Sequence, residues 1–142
     1  VGNEDGTLQV RLDMWHAMNR VVRRCKQSHG AFNAFAASLR DAFFLVNKDD
    51  LEAFRVRLTQ QQKWSEDRIR ELMDNEWAWV IKQCRRRVPE ASLLLARFNR
   101  VVSEYGHLPD AKTGQLLLSK EAWREVKNLR KHIQVSSVTI HT

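Results

Sequence analysis

Apolar residues return at every third or fourth position along most of the chain, and this spacing restricts its fold more than any other feature. Over 31–46, Phe32, Phe35, Ala36, Leu39 and Phe43 keep to one side of a helical projection, the pattern of a helix that buries one stripe. Five Gly and two Pro in 142 residues exclude a turn-rich all-β architecture and a collagenous one. A chain of this length can bury a core without disulfide or metal staples. The expectation is one all-α domain spanning 1–142, built from about six helices.

Residues 1–13 are expected to hold a short N-terminal strand, Leu8 to Leu12 (LQVRL), which reaches a helix at Asp13 because the alternation changes there to a helical period. Met14, Met18, Val21, Val22 and Cys25 form the inner stripe of that first helix, and Ser28, His29 and Gly30 end it. A third helix over 50–62, capped by Asn47 or Asp49, presents Leu51, Phe54 and Leu58. Ser65, followed by Glu66 and Asp67, opens a fourth helix of about 22 residues, with Ile69, Met73, Trp77, Val80, Ile81 and Cys84 inward. Pro89 opens a fifth, which ends at Tyr105 where Gly106 is expected to cap it in the left-handed conformation. Loop signals at Pro109-Asp110 and Thr113-Gly114 precede a sixth, capped by Ser119, with Trp123, Val126, Leu129 and Ile133 inward. The helical body then covers 14–133, and the tail over 134–142 has no assignment.

Charge points to the partner. Lys and Arg total 24 against 17 Asp and Glu, a net charge of +7 with a pI of about 9.9, which favours a polyanion. No apolar run approaches the ~20 residues of a spanning helix, and 1–10 lacks the apolar segment of a signal peptide. A nuclear or cytoplasmic protein without membrane partners is expected, neither secreted nor inserted. Cys25 and Cys84 fall on apolar stripes, where a thiol behaves as a small buried hydrophobe and stays reduced. Lys82, Arg85, Arg86 and Arg87, with Arg97 and Arg100 and with Arg20, Arg23 and Arg24, are the candidates for phosphate contacts. Trp79 is the candidate for base stacking. The alternatives are a solvated charged face and a Trp79 packed beneath a neighbouring helix. Trp15, Trp64 and Trp123 are expected in the core.

Motifs for chemistry are few. The chain has no Gly-rich phosphate loop, no nucleophile elbow and no Cys or His pair at zinc spacing. Asp13-Met14-Trp15-His16 is the one suggestive group, since an acid where a strand meets a helix can bind a hard metal. From spacing alone the better reading is Asp13 as an N-cap to which His16 hydrogen-bonds back. The stretch LDMWHAMNRV resembles the region around the second catalytic aspartate of hAT and Mutator-like transposases of RNase H fold, and Asp13 and His16 match its DxxH pattern. HGAFNAFAASLRDAFF, Asp49-Asp50, CRRRVPEASLLLARFNRVV and DAKTG resemble the helical region that follows it in transposon-derived eukaryotic proteins; the similarity covers most of 10–133. The resemblance implies catalytic positions at Asp13 and His16, with Asp13 a metal ligand and Mg²⁺ bound only in the complete parent protein. It further implies a nucleic-acid-handling insertion, DNA before RNA, beside the remaining transposase-like domains of a nuclear parent. The strand of the first aspartate and a later acidic strand are missing from this sequence, so two-metal phosphoryl transfer cannot be assembled from it and the chain is not a complete enzyme alone. The competing expectation is a structural or protein-interaction helical module with no catalytic role.

Overall fold

A computed structural model describes the backbone of residues 2–141 and the side chains of 10–135. Among the described residues there are seven helices: α1 (Gly2–Arg24), α2 (Phe32–Phe43), α3 (Lys48–Gln60), α4 (Glu66–Asn75), α5 (Trp77–Ile81), α6 (Ala91–Tyr105) and α7 (Lys120–His141). Two short strands, β1 (Leu45–Val46) and β2 (Arg86–Arg87), pair antiparallel. The chain is all-α, as its periodicity implies. It groups into two compact units, 1–44 with 88–142 and, inserted between them in sequence, 45–87.

In the first unit α1 packs on α7, α2 on α6, and α6 on α7. Phe35, Leu39, Phe43, Phe98, Leu117 and Val126 are fully buried at its centre, and Phe43 meets Phe98 edge-on at 5.5 Å. Burying each large apolar side chain contributes roughly 1.5–3 kcal/mol, which makes this interior the main stabilising term. The end of α1 is tied to the start of α7: the Lys26 N–H donates to the Leu117 carbonyl at 2.9 Å, and the Ser119 hydroxyl donates to the Arg24 carbonyl at 2.6 Å. Ser119 also caps α7 by accepting the Ala122 N–H at 3.0 Å.

Two sequence expectations for this unit change. Residues 8–12 belong to α1 and not to a strand. Among the described residues no strand pairs with them, whereas extending a helix already nucleated downstream gains a hydrogen bond for every residue fixed. Gly106 has φ −57° and not a left-handed value. Space decides that position, because a Cβ there would stand 2.6 Å from the Val102 carbonyl oxygen and 2.7 Å from Trp123 Cη2. The unassigned tail continues α7 to His141, and its side chains from 136 lie outside the described residues.

The loops of this unit are anchored by two polar residues. Buried His29 accepts the Ala31 N–H at Nδ1, 3.0 Å, which leaves Nε2 to donate to the Leu108 carbonyl at 2.9 Å. Asp110 accepts the Gly30 N–H at 3.1 Å and both donors of Thr113. These bonds, the Gly30 N–H first, hold its carboxyl below the usual carboxylate range. The turn it closes places Gly114 at φ +72°, a conformation suited to glycine.

In the second unit Asn47 caps α3 and Ser65 caps α4, each accepting a backbone N–H three residues on. Phe54, Leu58, Ile69 and Val80 form its core. The expected long fourth helix is broken. Glu76, at φ −124° and ψ 33°, ends α4 just after Asp74 and Asn75, residue types that compete with helical backbone bonding. The phase shift leaves Trp77 exposed instead of inward, and α5 then stops so that Arg86 and Arg87 can pair with Val46 and Leu45.

Candidate nucleic-acid interface

Asp13 and His16 occupy the middle of α1, exposed and one turn apart. The strand end on which a metal-binding reading of Asp13 depends is absent, and so is an N-terminus for it to cap. Asp13 lines an apolar groove of about 330 Å³ with Val10, Met14, Val88, Pro89 and His132. His16 has its ring edge-on to Trp15, 5.3 Å away. Trp15, expected in the core, is 46% exposed, because it lies off the buried stripe of Met14, Ala17, Met18 and Val21. Among the described residues no group of three or more His, Cys, Asp or Glu side chains could hold a metal ion.

The cations expected to act together are separated by the bonds they make. Arg85 forks onto Asp50, with Nε and Nη2 donating at 2.9 and 3.0 Å and its backbone N–H at 2.8 Å. Those bonds from Arg85 lower the Asp50 pKa to about 2 and offset the arginine's charge. Arg97 donates to the carbonyls of Ala42 at 3.1 Å and Asp41 at 2.9 Å, so it satisfies the C-terminal end of α2. Arg100 is ion-paired with Glu104 at 3.3 Å. Lys82 is exposed after α5, while Arg86 and Arg87 belong to the β ladder. Trp64 and Trp123 are partly buried against the two cores, whereas Trp79 is half exposed.

The first unit also carries a basic row beyond the sequence candidates. Lys120, Arg124, Lys127 and Lys131 are exposed on α7 at spacings of four, three and four. Ala122, Val126, Leu129 and Ile133 repeat the same spacings two positions later and are buried. Two residues are about 200° of helical rotation, so the cations stand opposite the core stripe. Arg20, Arg23, Arg24 and Lys26 are exposed at the end of α1, which the Ser119–Arg24 and Lys26–Leu117 bonds hold against the start of that row. The four-three-four spacing was the available sequence signal. The nearness of the end of α1 was not, since it depends on contacts over 90 residues apart.

No helix among the described residues is long and apolar enough to cross a membrane. Comparison with known protein families, curated proteins and solved structures finds no match for this chain.

Proposed function

We propose that this chain binds nucleic acid through the phosphate backbone, DNA before RNA, using the α7 row and the basic end of α1. The observation that carries the reading is the uninterrupted line of four exposed cations opposite the buried stripe of α7, an arrangement that can follow a phosphate chain without reading bases. The resemblance of 10–133 to the helical region of transposase-derived proteins supports placing it in a nuclear parent of that kind, as an insertion and not as a complete enzyme.

The test is fluorescence anisotropy of a labelled DNA duplex at several salt concentrations. Affinity should fall log-linearly with salt, with a slope near 0.9 per phosphate contacted. Replacing Lys120, Arg124, Lys127 and Lys131 with Gln should reduce that slope by several units. An unchanged slope, or no binding at low salt, sinks the proposal. The second reading is a protein-interaction module, favoured by the apolar groove along α1 and by exposed Val10, Leu12, Trp15 and Val135. It becomes the better account if duplex binding is absent.

A further inference from the structure

The second unit contains a cleft of about 490 Å³ whose walls include Phe54, Trp64 and Trp79 and whose polar members are Gln62 and Glu76. Trp79 is 50% exposed yet braced, because its ring meets buried Phe54 edge-on with centroids 6.0 Å apart. Such a ring offers solvent a flat apolar surface at a fixed position. Cations already sit on the other two rings: the guanidinium of Arg68 is 3.7 Å from the Trp64 centroid, and that of Arg57 is 5.7 Å from that of Phe54.

We infer that this cleft receives an unpaired nucleobase stacked on Trp79, with the neighbouring phosphates drawn to Arg57 and Arg68. The inference rests on the nucleic-acid reading for its class of ligand, but it uses no residue of α1 or α7. An aromatic wall suits either a base or a quaternary ammonium group. The two guanidiniums at the rings decide between them, since they outnumber the single carboxylate of the wall, Glu76, and so on balance repel a second cation and attract a phosphate. Glu76 adds a preference among bases. A carboxylate accepts from the exocyclic amino group of cytosine or adenine, whereas unpaired thymine offers only its ring N3–H, flanked on both sides by carbonyl oxygens that repel the carboxylate, so cytosine-rich strands bind more tightly than thymine-rich ones.

The experiment titrates the full chain with labelled single-stranded oligo(dC) and oligo(dT) octamers and, in parallel, with the duplex. Trp79→Ala should weaken binding of the octamers by about 5- to 150-fold, the effect of losing one base stack, while Trp79→Phe retains most of it and duplex affinity stays unchanged. Glu76→Gln should remove the preference for oligo(dC). Unchanged circular dichroism of each variant shows that it folds. Octamer binding that survives Trp79→Ala but disappears with the α7 substitutions overturns the cleft and leaves the phosphate reading standing. Tetramethylammonium binding that requires Trp79, without octamer binding, overturns the base assignment in favour of a cation cage. Octamer binding that requires Trp79 while the α7 substitutions leave the duplex salt slope unchanged supports the cleft and sinks the α7 reading.

Discussion

Gly106 is where close packing and backbone preference predict opposite outcomes. Its φ of −57° is one that alanine adopts freely, so backbone entropy alone predicts that Gly106→Ala stabilises the protein by about 0.4–1 kcal/mol. The added Cβ, however, would lie 2.6 Å from the Val102 oxygen and 2.7 and 2.9 Å from two ring atoms of Trp123. Overpacking of this kind costs about 1–3 kcal/mol, and the oxygen belongs to the backbone and cannot rotate away. The net expectation is a loss of about 1–2 kcal/mol, which at roughly 4 °C per kcal/mol lowers Tm by about 4–8 °C. Thermal unfolding followed at 222 nm measures it. The same substitution in a Trp123→Leu background should cost less, because the ring is gone and only the carbonyl contact remains. A rise in Tm for Gly106→Ala would refute the steric account, and an equal cost in both backgrounds would show that Trp123 is not the obstacle.

Arg97→Gln should cost about 1–3 kcal/mol of stability, since glutamine cannot span the carbonyls of Asp41 and Ala42, and leave the duplex salt slope unaltered; a slope smaller by about one would place a phosphate on Arg97. The Asp50 pKa of about 2 lies below its unfolded value near 3.9. Its contribution is therefore present above that unfolded value and fades as the pH falls towards 2, so Asp50→Asn should flatten the acid unfolding profile in this range, and superimposable profiles would exclude the Arg85 pair as a source of acid sensitivity. Cys25, whose thiol burial pushes up to about 12, and Cys84, raised by burial and then by Asp50, should resist thiol reagents at pH 8 until urea unfolds the chain; prompt reaction of the native protein would contradict their burial.

Helix type and most of the apolar stripes were legible from residue order. Asn47, Ser65 and Ser119 cap as their types and positions imply, and Pro109-Asp110 with Thr113-Gly114 forms the turn expected of it. Less of the interface was legible. Arg85 and Arg97 read as phosphate ligands from charge alone, yet their partners Asp50 and the α2 carbonyls lie 35 and 55 residues away. His29 gave no sign of being a buried anchor, because its acceptor belongs to Leu108.

The division follows the range of the forces involved. Periodicity, capping and turn chemistry act within a few residues, so sequence alone determined an all-α chain, most of its helix starts and the burial of both cysteines. Three matters waited on tertiary structure: whether Leu8 to Leu12 found a strand edge, where the helical segment after Trp77 stopped, and which cations were taken up by carboxylates or carbonyls. Each depends on which distant backbone or carboxylate group arrives to take the hydrogen bonds, and only the packed chain supplies that partner.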